Sequence, residues 1–360
     1  MKNKLPRYTI LEPCVAVIAV VMVGFVLSKA AQVAIPFMLA FLLTMLLAPL
    51  MKLGEPYRIP PIAMVLVILA GLVAILLPTG FFLNSRLQGI LQVMPSYYNK
   101  LVDIGQSVLD RSNVPKDFWV TINWYNTIGR YVSGMTGFML SWLGNMLMVM
   151  VFLIFMLLES PYVENRIRMA FAGESGERIA VIADTIVRQI SKYLRTLAVI
   201  SFATGFCVWL ALYLIGVDFA ITWGVLAFFL NFIPTLGSIA ASIPPILVAI
   251  VQYYPDWVPS ILTFLAVLSI QFTIGNIMTP KIMGDSLDLS PVVILISLLF
   301  WGLIWGFSGA LLSVPIAVMI KIICENVPQL HFIAMLMCSA REDRHHPSAA
   351  RPERATEQPE

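Results

Sequence analysis

Residues 219–254 read FAITWGVLAFFLNFIPTLGSIAASIPPILVAIVQYY, a run without a single charge. As one helix it would be about 50 Å long at 1.5 Å per residue. A hydrocarbon core of about 30 Å takes roughly 20 residues, so the run is too long for one span and too short for two with a turn. Its middle, NFIPTLGS (Asn231–Ser238), carries Pro234, which removes a backbone donor, and Gly237, which permits a turn. This predicts a re-entrant helical hairpin that goes in from the outside, breaks near the midplane and returns. Non-helical backbone at that depth is tolerated only where protein or a wet cavity satisfies it.

A second run of the same awkward length follows: LSPVVILISLLFWGLIWGFSGALLSVPIAVMIKII, from residue 289, with Gly302, Gly306 and Gly309 in its middle. A second hairpin, inserted from the cytoplasm, is expected here. A shift of 70 residues pairs Gly205 with Gly275, Asp218 with Asp288, Pro245 with Pro315, Ile246 with Ile316 and Ile250 with Ile320. Span plus hairpin from outside, then span plus hairpin from inside, is an inverted repeat, in which transporters hold solute near the midplane at broken helices. The competing reading is two long kinked helices, each crossing once. A cysteine probe at position 281 separates the two, because labelling only from outside removes the double hairpin.

The rest of the chain supports the membrane setting. Apolar residues make up 59% and charged residues 12% of the chain, and the mean hydropathy is +0.87; soluble domains carry about twice that charge. Lys2, Lys4 and Arg7 place the N-terminus in the cytoplasm by the positive-inside rule. Three spans (about 13–31, 34–51 and 60–83) then alternate, with Lys52 and Arg58 on a cytoplasmic connector. The expected organisation is three N-terminal spans in 1–83, an extracytoplasmic helical insertion in 84–137, and a fourth span with a cytoplasmic amphipathic helix in 138–195. A transport domain with both hairpins fills 196–338, and a disordered cytoplasmic tail 339–360. In the insertion, Leu87, Leu91, Met94, Tyr98 and Leu101 form one helical stripe that Pro95 interrupts. Ile179, Ile182, Ile186, Ile190, Tyr193 and Leu197 form another, opposite Arg178, Asp184, Arg188 and Lys192. That helix lies on the membrane surface or packs under the bundle. The fold class is thus all-α and polytopic.

Several classes are excluded or unsupported. A net charge of +3 gives no basis for nucleic-acid binding. Cys14, Cys207, Cys324 and Cys338 are scattered and form no metal or disulfide pattern. His345–His346 reads as tail composition. No GxxxxGK[ST] occurs, so the chain carries no nucleotide-hydrolysis motif, and neither an enzyme nor a cofactor is expected.

NFIPTLGSIAASIPPI, GNIMTPKIMG and the second long run, in this order and spacing, resemble the bacterial autoinducer-2 exporter family of permeases. The resemblance covers about residues 10–335. It implies an inner-membrane exporter of autoinducer-2, a quorum-sensing signal, and a homo-oligomer, a pentamer; the C-terminus, which both the hairpin and the kinked-helix readings return to the cytoplasm, joins the N-terminus there. Some relatives resemble sodium or proton antiporters.

A small polyhydroxylated solute needs hydroxyl and amide partners, free backbone groups and aromatic surfaces. The candidates are Asn231, Pro234, Thr235, Gly237 and Ser238 in the first break, Gln271, Thr273 and Asn276 on the following span, and Trp301, Trp305, Gly306, Ser308 and Gly309 in the second break. Asn231 and Asn276 serve equally well as caps or interhelical links; Trp301 and Trp305, four apart, suit a pathway wall or helix packing. Pro234, Pro245 and Pro315 are expected to set breaks and kinks. All candidates are neutral, and the acids Asp218, Asp256, Asp285 and Asp288 sit at segment ends, which argues against carboxylate-based antiport. Antiport through Asp285 or Asp288, and a non-transporting scaffold acting through 84–137 or 159–195, are the alternatives.

Overall fold

The computed structural model describes residues 11–109, 144–170, 174–234, 236–283 and 289–338. Among these, every regular element is helical, and seven helices are long and apolar enough to cross a membrane. The chain is therefore an all-α polytopic membrane protein.

Helices α1 (Leu11–Lys29) and α2 (Ala31–Met51) meet at Ala30 without a loop. Ala30 N–H closes the last turn of α1 on Val26 O at 2.8 Å, and Ala30 O opens α2 by accepting from Ala34 N–H at 2.9 Å. The turn expected at residues 32–33 is thus a one-residue joint. Helix α3 (Pro61–Leu109) is 49 residues long, about 73 Å, and far exceeds a bilayer core. The break expected at Pro95 does not occur. Each proline, Pro78 and Pro95, deletes one ladder bond and the helix runs through both. The side chains of Leu87, Leu91, Met94, Tyr98 and Leu101 lie outside the described ones, as do residues 110–143 of the expected insertion and fourth span.

After α4 (Gly144–Tyr162) and α5 (Val163–Ala170), helix α6 (Glu174–Ile215) runs unbroken through Arg195. The amphipathic segment and the start of the expected transport domain are one helix. Ile190, Tyr193 and Leu197 are buried with Leu42 and Met45 of α2, and Ile182 and Ile186 pack against the same core. Arg178, Asp184, Arg188 and Lys192 are exposed. The apolar face thus packs on the bundle, and the charged face is solvated.

Helix α7 (Ala220–Leu230) and helix α8 (Leu236–Tyr253) form an antiparallel pair around a break that includes 231–234. Its open end is stitched. Tyr253 Oη donates to Ile215 O at 2.9 Å, Gln252 Nε2 to Gly216 O at 2.9 Å, and Asp218 N–H to Gln252 Oε1 at 2.8 Å. The two ends of a segment more than thirty residues long therefore lie side by side. Helix α9 (Val258–Thr273) packs on α6 and α8 and continues through one π-helical turn (Ile274–Met278) into α10 (Thr279–Met283).

Helix α11 (Pro291–Asn326) contains Gly306 at φ +61°, ψ −138°, outside helical space. Ser297 Oγ donates to Ser313 O at 2.8 Å. Sixteen residues of straight helix would hold those groups about 24 Å apart, so the arms before and after Gly306 fold back on each other. At the open end, Ser290 N–H donates to Met337 O, the last residue of α12 (His331–Met337), at 2.9 Å. Both long runs are thus folded-back helical pairs, with the turn of the second at Gly306.

Candidate functional site

The two folded-back pairs close by the same device. Gly237 lies against the carbonyl of Leu230, and Gly309 against the carbonyl of Trp301; a Cβ at either position would overlap that carbonyl. Only glycine lets the returning arm approach the last turn of the incoming one. These two glycines are 72 residues apart, whereas Pro245 and Pro315, both buried in the returning arms, are 70 apart. The Gly205–Gly275 pairing is not matched in surroundings: Gly205 lies against Gly224 O and Phe228, and nothing approaches Gly275 within 4 Å.

At the second tip, the Trp301 and Trp305 rings lie 4.9 Å apart at 41°, and Phe300 meets Trp301 edge-on at 5.3 Å. Trp305 is buried, and its Nε1–H donates to Leu27 O at 3.0 Å. The last backbone bond of α1 ends on Val26 O, so the Leu27 carbonyl lies just past the ladder and takes the indole instead. A Cβ at Gly24 would stand 3.6 Å from the Ile304 side chain. Ser308 is half-buried, and Gly306 is exposed.

At the first tip, Asn231 Nδ2 donates to the fully buried Ser201 Oγ at 3.0 Å. This satisfies the link reading of Asn231, since the bond fixes the tip to α6. Pro234 is half-buried in the break, and Thr235 lies outside the described residues. Ser238 O accepts from Ser242 Oγ at 2.7 Å. Phe232 packs against the core cluster that contains Trp305, and joins the first tip to the second hairpin's surroundings.

Gln271 is half-buried on α9, while Thr273 and Asn276 are exposed. Asn276 Nδ2 donates to Phe272 O at 3.2 Å within its own helix. These three sit on an element that packs against α6 and α8, whereas α11 packs against α1, α2 and α6. The structure therefore gathers Trp301, Trp305, Gly306 and Gly309 at one tip and Asn231, Pro234 and Gly237 at the other.

Three participants escaped sequence reasoning. The Leu27 carbonyl and Ser201 have no local signature. Lys321, in VMIKII, had one. Among the described buried residues it is the one charged side chain, 6% exposed, and its Nζ lies 3.3 Å from Glu325. Asp285 and Asp288, the carboxylates considered for antiport, lie outside the described residues.

Outside the apolar segments, the extension of α3 docks on the open end of the first hairpin. Tyr97 Oη donates to Asp218 Oδ2 at 2.5 Å, and Lys100 Nζ to Gln252 O at 3.3 Å. Burial and then the bond to Asp218 push the Tyr97 hydroxyl above the ordinary tyrosine value.

Long apolar helices and two folded-back pairs define a polytopic all-α membrane protein, and its relatives make it a membrane transporter. The profile of the AI-2E family transporters matches residues 15–329. A Borreliella burgdorferi protein named for transport without a substrate is 30% identical over 324 residues, 90% of this chain and 89% of that protein. The AI-2 transport protein TqsA of Escherichia coli is 30% identical over 319 residues, 87% of this chain and 92% of that protein. YhhT of Escherichia coli is 34% identical over 210 residues, 58% of each chain. The chain belongs to the AI-2E transporter family.

Proposed function

We propose that this chain exports autoinducer-2, or a similar small neutral polyhydroxylated solute, across the bacterial inner membrane. Both hairpins are re-entrant in this reading, the first inserted from outside and the second from the cytoplasm, with N- and C-termini cytoplasmic. Solute passes between the tips at Asn231–Ser238 and Trp301–Gly309. The observation that carries the substrate class is the second tip: paired indoles beside one unladdered carbonyl, with uncharged side chains. Aromatic faces and single donors and acceptors suit hydroxyls on a carbon skeleton. The name of the TqsA relative supports the same solute.

The test is accumulation in cells. Deletion should raise intracellular autoinducer-2 and lower it in the medium, and the wild-type chain should reverse both. Unchanged pools on either side of the membrane would remove the export reading.

Lys321 favours a second reading, cation–proton antiport, because buried charges in a bilayer mark ion paths. A salt-dependent pH change in everted vesicles that Lys321→Met abolishes would support it over export of a neutral solute. A homo-oligomer, in the resemblance a pentamer, is part of the proposal, and native mass spectrometry reads it directly. The broad exposed apolar face of α1, including Ile18, Met22 and Phe25, suits lipid or neighbouring copies.

A further inference from the structure

We propose that the Trp305 indole N–H and the Leu27 carbonyl are the two halves of a hydroxyl-binding subsite, closed on each other in this structure and opened by the solute. The inference rests on the transport reading above, and names the groups that recognise the solute at the second tip.

The two groups stand 3.0 Å apart and satisfy each other. A hydroxyl is at once donor and acceptor. Placed between them, a solute hydroxyl accepts from Nε1–H and donates to Leu27 O, so one bond becomes two and neither group is left bare. An indole N–H can only donate, and a carbonyl can only accept. A methyl ether in the same place leaves the carbonyl unsatisfied, so the pair discriminates by chemistry rather than by size.

Neither group belongs to a helical ladder at this point. Leu27 O lies past the last bond of α1, and Trp305 immediately precedes Gly306, where the helix of α11 breaks. Both can change partner without unwinding a helix. Gly306, the next residue along from Trp305, is exposed, and a Cβ at that position would meet nothing within 4 Å. The Trp301 ring, 4.9 Å from Trp305, supplies a second aromatic face for the C–H side of a polyol. The nearest charge along α1, Lys29, turns its ammonium over the Phe25 ring at 5.7 Å, which suits an uncharged guest.

The test uses the full-length chain in proteoliposomes, with autoinducer-2 and an O-methylated analogue as probes. Trp305→Phe keeps a ring and loses the N–H. Benzothienylalanine at 305 keeps the bicyclic shape and replaces the N–H with sulfur. In both, the half-saturation concentration for autoinducer-2 should rise about tenfold or more, with the maximal rate within about twofold. The preference for hydroxylated over methylated solute should collapse towards one, because a site built to hydrogen-bond a hydroxyl otherwise rejects the analogue strongly. An unchanged half-saturation and preference, or a lost maximal rate at unchanged half-saturation, overturns the subsite and makes the bond a structural strut. Where the phenylalanine variant does not fold, the benzothienyl variant decides.

Tryptophan fluorescence titrations of the same preparations separate this inference from the transport reading. A saturable wild-type response without flux defeats transport and retains the subsite. No saturable response to autoinducer-2 defeats the subsite, whatever the flux.

Discussion

Ser297 and Ser313 are hydrogen-bonded to each other, the hydroxyl of the first donating at 2.8 Å to the carbonyl of the second, although the chain between them is helical on both sides of Gly306. That bond holds together the two arms into which Gly306 divides the 36-residue apolar helix. It also sets a direct check. With the native cysteines replaced, Ser297→Cys with Ser313→Cys should cross-link under mild oxidation, since a disulfide needs Cα atoms within about 7 Å. A straight or gently kinked α11 gives no cross-link.

The glycine contacts at the tips give a graded set. Gly237→Ala and Gly309→Ala place a methyl group into a backbone carbonyl that has nowhere to move. Overpacking of this kind costs about 1–3 kcal/mol or more. Gly306→Ala has space but sits at φ +61°, ψ −138°, where a side chain costs about 1–3 kcal/mol. Gly275→Ala, with nothing nearby and negative φ, should change little. Melting temperatures in detergent should fall for the first three and hold for Gly275→Ala.

Lys321 and Glu325 form an (i, i+4) pair in which the lysine is buried and the glutamate is about a third exposed. Removing a partner of a buried charge is worse than removing the buried charge itself. Glu325→Gln should therefore destabilise more than Lys321→Met, which should be neutral or stabilising. Equal losses in thermal stability would show that the lysine is held by contacts other than charge pairing.

The Tyr97–Asp218 bond ties the long extension of α3 to the mouth of the first hairpin. The folded-state pKa of Tyr97 is raised above its ordinary value of 10.0. The bond's contribution is therefore complete below pH 10 and lost only as pH climbs through the raised value. Spin labels at Ser96→Cys and Trp257→Cys should give the same narrow distance distribution at pH 7 and pH 9.5. Tyr97→Phe should broaden it at both, and broadening of the wild type by pH 9.5 would contradict the assignment.

Run length and turn residues made the folded-back pairs legible. The 219–254 run could not be one span, and Pro234 and Gly237 marked where it turns. The second run offered Gly302, Gly306 and Gly309, and composition alone could not tell which was the turn. Only Gly306 takes positive φ there, while Gly309 is needed for close approach. Pro95 misled because a proline costs a long helix one bond, which the turns on either side can absorb. The continuity of α6 through Arg195 was not legible, because its stripe of apolar residues runs into an all-apolar segment without any change in backbone. Asn231 was legible as a candidate, but its partner Ser201 lies thirty residues away on another helix. The Leu27 carbonyl was illegible in principle, since every residue has one and only the joint at Ala30 frees it.

Flux through the purified chain is the most direct measurement of the central claim. Proteoliposomes containing it, loaded with autoinducer-2, should release the solute saturably and faster than empty-bilayer controls, with simultaneous substitution of Gly237 and Gly309 by alanine removing the excess. Release no faster than the controls, across imposed proton and sodium gradients of either sign, would contradict export of autoinducer-2 by this protein.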